Sequence, residues 1–156
     1  MEYGILTTRF NNDTFFENIR WRQNHNFNGC IYSLRTKVSP YLTYNKPFFV
    51  LEMNNSINKI MGIGIISLIR LQEREIIYSD PSYNLYTYKG NHYISIYEND
   101  DYNLEDKDLF IELFEKPLFY GKGHMKRGQS MTQFPIHKIT KKHIDYLLKL
   151  KKKMLH

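Results

Sequence analysis

The sequence predicts an α+β fold in which a small, mostly antiparallel, bent β-barrel is flanked by about three helices. Five or six apolar segments are joined mostly by short turns, which excludes a parallel sheet built from βαβ units. The Ile-rich segment 57–71 contains Gly62 and Gly64, and glycines inside a strand indicate a bulge or a strong bend. A chain of 156 residues has the size of one domain, which we place at 1–156.

The first helix is predicted from a capping-box pattern, in which Thr14 is followed three residues later by Glu17. It should end between Arg22 and Asn26, where Asn and Gln accumulate. Strands are predicted at 29–36, 48–53, 57–71, 76–78, 85–88 and 93–97, and the last two are expected to form a hairpin around Lys89–His92.

Alternate residues of a strand share a face, so the sequence also predicts which side chains point inward. Val50 and Glu52 should face away from the barrel interior. The residues expected to point into it are Phe49, Leu51, Ile63, Ile65, Ile94 and Ile96.

Two further helices are predicted in the C-terminal third. Asn103 should cap a helix with an acidic first turn, which Pro117 ends. Thr140 should cap a final basic helix that turns its apolar residues inward, namely Ile144, Leu147, Leu148 and Leu155.

The charge of +6 is unevenly distributed along the chain. Residues 98–115 hold eight acids and one Lys, whereas residues 122–156 hold ten Lys and Arg and one acid. The two blocks either pair with each other inside the fold or lie on opposite sides, which would leave a basic face for a polyanion.

Composition excludes several classes of protein. The single Cys30 excludes a disulfide framework and a Cys-rich zinc module, and the longest apolar run, 60–69, is too short to span a bilayer. The opening residues lack a signal-sequence pattern, so we expect an intracellular protein, in the cytoplasm or nucleus, without a membrane partner. The absence of Ala and the abundance of Asn, Ile and Tyr indicate an AT-rich genome, such as that of a large DNA virus.

The stretch Gly29–Arg70 contains a strand, then Lys46 and Pro47 before the buried strand 48–53, then the glycine-bearing strand 60–66. This pattern resembles the PUA-like superfamily, which includes the EVE, ASCH and YTH domains. The resemblance implies a small barrel, one edge of which grips RNA or a modified base, and it adds Lys46 to the candidate phosphate contacts. The aromatic cage of that superfamily has no counterpart here, because the only tryptophan precedes the first predicted strand.

The most unusual segment is a basic loop bounded by glycines, Gly121–Gly128, which we call the glycine loop. Glycines permit close approach of the backbone, successive N–H groups can form an anion-binding nest, and Lys and Arg side chains bind phosphate. Gln129 stands where a P-loop needs lysine, which disfavours a nucleoside-triphosphate site. A flexible surface loop is the alternative. The candidate residues are Gly121, Lys122, Gly123, His124, Lys126, Arg127 and Gly128.

A second candidate is Arg20–Trp21–Arg22, in which an indole between two guanidinium groups offers a platform for an unpaired base. A tryptophan at the end of an amphipathic helix is also typical of core packing. Both readings stay open.

The sequence predicts no catalytic residue, metal ligand or cofactor. The six histidines show no H-E-x-x-H spacing, no G-x-S-x-G occurs, and Cys30 lies in an apolar strand. Resemblance to ASCH-type hydrolases would imply a trio of Thr36, Lys37 and Glu52.

We therefore expect a domain that binds nucleic acid, RNA or a modified base rather than duplex DNA. One alternative is an interaction or assembly protein, such as a viral antagonist of a host factor, whose basic tail docks on an acidic protein. A small hydrolase on an ASCH-like barrel is the other.

Overall fold

The computed structural model of this protein describes residues 3–38, 42, 46–69, 73–127 and 131–155, and it has an α+β fold. The strands are β1 (Gly4–Phe10), β2 (Cys30–Leu34), β3 (Phe48–Asn54), β4 (Lys59–Ile66), β5 (Tyr86–Gly90), β6 (His92–Ser95), β7 (Tyr97–Glu98), β8 (Asp101–Tyr102) and β9 (Thr132–Gln133). The helices are α1 (Asn12–Asn24), α2 (Lys107–Phe110), α3 (Lys116–Phe119) and α4 (Lys141–Met154). A π-helical turn, Ile111–Glu115, joins α2 to α3.

The main sheet has five strands in the order β6-β4-β3-β1-β9. Its pairs are antiparallel except for β1 and β3, which run parallel with Leu6 opposite Val50. The sequence analysis missed β1, because Thr7, Thr8 and Arg9 interrupt its apolar residues. Pairing with the buried β3 makes this segment a strand.

The expected hairpin between residues 85–88 and 93–97 is wrong. Strand β5 pairs with β2 in a separate two-stranded sheet, and β6 pairs with β4 in the main sheet. Only Asn91 separates the two strands, so the chain bends from one sheet into the other. Gly90 permits this course because a side chain there would overlap the carbonyl group of Ile65.

The described strands do not close into a barrel. No ladder joins β2 to β1; instead α1 follows β1, leads to β2 and packs against both strands. The α+β class and the mostly antiparallel sheet are confirmed, and the sheets curl around a core without closing.

The main sheet buries a different set of side chains on each face. As predicted, one face carries Phe49, Leu51, Ile63, Ile65 and Ile96, with Ile94 packed against them. Helices α2, α3 and α4 cover this face, so it is not a barrel interior. Val50 and Glu52 lie on the opposite face, which we call the inner face because it packs against α1, β2 and β5.

The helix ends agree with the sequence only in part. Asn11, not Thr14, is the N-cap of α1: its side chain accepts from the amide of Thr14 at 2.9 Å, and the Thr14 hydroxyl accepts from the amide of Asn11 at 3.0 Å. Glu17 instead accepts hydrogen bonds from Ser79. The predicted cap of α4 at Thr140 is confirmed, and His143 completes its capping box.

Four C-terminal and loop predictions are corrected by the structure. Pro117 does not end the second helix, because the preceding π-helical turn accommodates its missing amide and the helix runs on to Phe119. That helix also begins at Lys107, not beside Asn103.

Residues 76–78 are not a strand, since the amides of Ile77 and Tyr78 donate to the Asn84 side chain. On α4, Leu147 and Leu150 are buried, while Leu148 and Leu155 are exposed.

Candidate functional site

The glycine loop lies between α3 and β9, and the structure describes it as far as Arg127; Gly128 lies outside the described residues. Gly121 has a φ of +82°, a left-handed conformation that favours glycine. The amide of His124 donates to the carbonyl of Gly121 at 3.3 Å, and the amide of Met125 donates to that of Leu118 at 2.7 Å. The amide of Lys126 donates to His124 Nδ1 at 3.3 Å. Three successive amides are thus used internally, so they do not form the predicted anion-binding nest.

Side chains from β1 and the turn after β3 hold the loop in place. Arg9 Nε donates to the carbonyl of Met125 at 2.6 Å, and Arg9 Nη2 donates to Thr132 Oγ1 at 2.9 Å. Asn55 Nδ2 donates to the carbonyl of Lys126 at 2.8 Å. Burial lowers the pKa of the Arg9 guanidinium, and an arginine side chain remains protonated in proteins. Arg9 therefore adds a positive charge beneath the loop.

The basic side chains of the loop remain available at the surface. Lys122 and Arg127 are exposed, while His124 and Lys126 are half-buried. Lys138 approaches from the segment before α4, since its Nζ lies 3.5 Å from the position that a Cβ on Gly123 would occupy. The loop thus carries several cations close together.

A small pocket of about 220 Å³, which we call the Arg9 pocket, is lined in part by the residues that hold the loop. It lies where β1 ends, α1 begins and β2 ends, with one wall from residues 78–83. Arg9 and Asn55 both line it and both hold the glycine loop. Its lining residues are Thr8, Arg9, Phe10, Asn11, Thr14, Ser33, Leu34, Asn55, Tyr78 and Tyr83.

The pocket combines aromatic surface with polar groups. The rings of Tyr78 and Tyr83 meet edge to face with centroids 6.5 Å apart, and the guanidinium of Arg35 lies 5.7 Å from the ring centre of Tyr83. Ser33 Oγ and Thr87 Oγ1 are hydrogen-bonded at 3.0 Å. Within the described part of the chain, the Asn55 side-chain oxygen is buried without a hydrogen-bond partner. A buried acceptor without a donor costs free energy.

The residues Arg20, Trp21 and Arg22 do not form one platform. Trp21 is 7% exposed, and its ring stacks on His25 with centroids 4.0 Å apart. Arg20 is exposed, whereas Arg22 lies over the ring of Tyr93. This placement is the one expected of a core tryptophan, and base stacking on it stays a prediction that requires His25 to move aside.

Lys46 lies at the other end of the main sheet from the glycine loop. It precedes β3, whose first residue Phe48 pairs with Gly4, whereas the loop is held by Arg9 near the far end of β1. Its ammonium group sits 5.8 Å from the ring centre of Phe48. At about 3.3 Å per strand residue, Lys46 is too distant to share a ligand group with the loop.

Glu52 lies fully buried on the inner face of the main sheet. It accepts hydrogen bonds from the hydroxyl groups of Tyr32 at 2.7 Å and Tyr93 at 2.9 Å. Burial raises the pKa of Glu52, while the charge of Arg22 and these hydrogen bonds lower it. Thr36 and Lys37 are exposed, and Lys37 lies by the ring of Tyr86, so the structure does not support a catalytic trio with Glu52.

The two glycines of β4 make room for this polar cluster. A Cβ on Gly64 would lie 2.5 Å from both the Tyr32 hydroxyl and Cys30 Sγ, and one on Gly62 would overlap the Tyr93 hydroxyl. A β-bulge lies here, because Met61 and Gly62 stand opposite Glu52 alone. The predicted irregularity of β4 is confirmed. Burial also raises the pKa of the Cys30 thiol to about 12, which makes it a poor nucleophile.

In the described residues, no group of three or more His, Cys, Asp or Glu side chains is placed to hold a metal ion. A search of the same residues finds no helix with the length and apolar character needed to cross a membrane. In the part of the chain that the structure describes, one ion pair joins the acidic block to the basic tail, Lys153 with Glu105 at 3.8 Å. Both partners are largely exposed, so this pair adds little stability.

The chain was compared with known proteins at the level of family, sequence and structure. No protein-family model, curated protein or solved structure matches it.

Proposed function

We propose that the protein binds single-stranded nucleic acid, RNA in preference to DNA, with one base in the Arg9 pocket and phosphates on the glycine loop. The observation that carries this proposal is the double role of Arg9, which lines the pocket and holds the loop. A strand with a base in the pocket would therefore have its backbone beside the cations of the loop.

The size and lining of the pocket support a base as the occupant. Pockets for drug-sized ligands measure about 300–1,000 Å³, so a pocket of about 220 Å³ suits a smaller group such as a single heterocycle. Tyr78 and Tyr83 offer aromatic contacts, and the exposed Asn11, whose oxygen caps α1, offers its side-chain Nδ2 as a donor for a base edge. Only an unpaired base can enter, and RNA presents such bases in loops and at ends.

We also propose that the curled sheets form an open variant of the PUA-like barrel. The bent β5–β6 strand supports this reading, because it joins the two sheets around one core. A solved structure that shows β2 distant from β4 would contradict it.

The phosphate contacts are tested by fluorescence anisotropy with labelled single-stranded RNA over a range of salt concentrations. Lys126→Ala and Arg127→Ala should each weaken binding to all sequences. Each should also lower the slope of log affinity against log salt by about one unit, since about one counterion is released per neutralised phosphate. Lys152→Ala on α4 is the matched control, because it removes the same charge from an exposed site outside the loop. An equal loss of RNA affinity in that control would show that binding depends on the overall positive charge of the protein and not on the glycine loop.

The base contact is tested with Tyr83→Ala, which truncates a half-buried wall of the pocket. Affinity for single-stranded RNA should fall about tenfold or more, because a stacked base contributes on the order of 1–3 kcal/mol. The salt slope should stay unchanged, since no cation is removed. Unchanged affinity would exclude the pocket as a base site, and stronger binding to duplex DNA than to single strands would contradict the proposed ligand.

A further inference from the structure

A second and larger cleft, of about 960 Å³, lies between α1 and the inner face of β4 and β6. Among the residues that the structure describes, it shares no lining residue with the Arg9 pocket and is lined by none of the glycine loop. We call it the α1 cleft. The side chains used in the argument below are Phe16, Ile57, Arg22, Tyr93, Glu98 and Asp100.

Arg22 occupies the wall of the α1 cleft in a fixed orientation. Its Nε donates to Asn18 Oδ1 at 3.1 Å, and its guanidinium carbon lies 4.3 Å from the ring centre of Tyr93. In the described residues, no carboxylate lies within 4 Å of this guanidinium. Glu52, hydrogen-bonded to the far end of Tyr93, supplies a compensating charge behind the ring. The guanidinium is therefore held in place without a direct ionic partner, which suits it to accept a carboxylate.

Apolar side chains flank Arg22 and remain exposed. Phe16 on α1 is 60% exposed, and Ile57 in the turn between β3 and β4 is 41% exposed. Both line the cleft, together with the half-buried Ile19 and Phe27. Exposed apolar surface around a polar anchor is typical of protein interfaces.

The charges of the α1 cleft argue against nucleic acid as its occupant. Glu98, the last residue of β7, and Asp100, in the turn between β7 and β8, are exposed and form part of the lining. Arg22 is the single Lys or Arg among the lining residues. A polyanion would be repelled by this end of the cleft, whereas a segment with charges of both signs would match it.

We propose that the α1 cleft binds an extended segment of a partner protein that carries an acidic side chain for Arg22, an apolar side chain for Phe16 and Ile57, and a basic side chain for Glu98 and Asp100. The 13 residues of α1 give a cleft about 20 Å long, which an extended segment of about six residues spans. This interaction is independent of nucleic-acid binding at the glycine loop.

The proposal is tested by selection of phage-displayed random peptides on the full chain, with counter-selection on a Phe16→Ser/Ile57→Ser variant. Both substituted side chains are exposed, so this variant should keep its fold. The enriched peptides should share an acidic, an apolar and a basic position. They are then synthesised, and their affinity is measured by calorimetry.

A double-mutant cycle assigns the acidic position to Arg22. Replacement of the peptide Glu or Asp by its amide should weaken binding to the wild-type chain about tenfold or more, and should have little effect in an Arg22→Gln background. Arg20→Gln is the matched control, since Arg20 is exposed two residues earlier on the same helix and does not line the cleft. It should bind the peptides as the wild type does.

Three results would overturn the proposal. They are the absence of an enriched peptide family, equal binding of the enriched peptides to the Phe16→Ser/Ile57→Ser variant, and displacement of the peptides by single-stranded RNA. If Arg22→Gln lowers the melting temperature too far for calorimetry, the peptide-side substitutions and the serine variant still decide the outcome.

Discussion

The two faces of the main sheet differ in chemistry, although the same strands form both. The strands beneath α2, α3 and α4 present mainly apolar side chains, which pack against Phe114 and its neighbours Phe110, Phe134, His143 and Tyr146. The buried carboxylate on this side, Glu115, comes from the covering helices and accepts from the amide of Ile60 at 2.7 Å. The inner face buries Glu52 with two tyrosines and borders the α1 cleft through Tyr93. The strands of one face therefore contribute mainly apolar packing, whereas those of the other bury a carboxylate of their own, Glu52, together with the hydroxyl groups that bind it.

The largest loss of stability is expected from a substitution on the helix-covered face. Phe114→Ala should lower the free energy of unfolding by about 3–5 kcal/mol, because Phe114 is fully buried and its removal leaves a cavity. Urea unfolding measures this loss. At temperatures where the variant is folded, RNA affinity should equal that of the wild type, and a specific loss of binding would show that the two faces are coupled.

The next largest effect is expected at the glycines of the inner face. Gly64→Ala should cost about 1–3 kcal/mol, since the new methyl group would lie 2.5 Å from Cys30 Sγ and the Tyr32 hydroxyl. Gly123→Ala in the glycine loop is the matched control, because the nearest atom to its Cβ would be 3.5 Å away. Thermal unfolding compares the two variants, and equal melting temperatures would contradict the close packing on the inner face.

Tyr32→Phe is expected to cost about 1–3 kcal/mol at neutral pH, because it leaves one oxygen of the buried Glu52 without its donor. Burial raises the pKa of Glu52 above its ordinary 4.5, and loss of the Tyr32 hydrogen bond should raise this pKa further. Because the pKa of Glu52 is higher in the folded than in the unfolded state, the protonated carboxyl group contributes to the stability of the fold. This contribution to stability is fully present below pH 4.5 and is lost as the pH rises through the folded-state pKa. The deficit of the variant should therefore shrink as the pH falls. Urea unfolding at several pH values tests this, and a constant deficit would exclude Glu52 as the cause.

The smallest effect is expected at His143, which gives the helix-covered face a pH dependence of opposite sign. Its Nδ1 accepts from the amide of Thr140 at 3.0 Å, while Nε2 lies 2.9 Å from the carbonyl of Leu113. Burial lowers the pKa of His143 below 6.5. The neutral imidazole therefore contributes to the stability of the fold above pH 6.5, and this contribution is lost as the pH falls through the folded-state pKa. His143→Gln keeps an acceptor for the cap without a titrating group. It should remove part of the acid destabilisation, seen as a flatter dependence of stability on pH; an unchanged slope would assign that dependence to another group.

The sequence by itself determined those features that depend on local chemistry. The alternation of Phe49, Leu51, Ile63 and Ile65 predicted their common face, and Thr140 predicted the start of α4, because strand periodicity and helix capping act within a few residues. It also identified the glycine loop, since the residue types alone are unusual there.

Only the tertiary structure decided what those features contact. The half-polar β1 became a strand through parallel pairing with β3, and this pairing carried Arg9 beneath the glycine loop and into the pocket. Glu52 is buried because Tyr32 and Tyr93 reach it from two other strands, and the apparent hairpin at residues 85–97 became a bend between two sheets. The reason is that partners far apart in the chain meet only after the strands have paired, and no local pattern records which strands those will be.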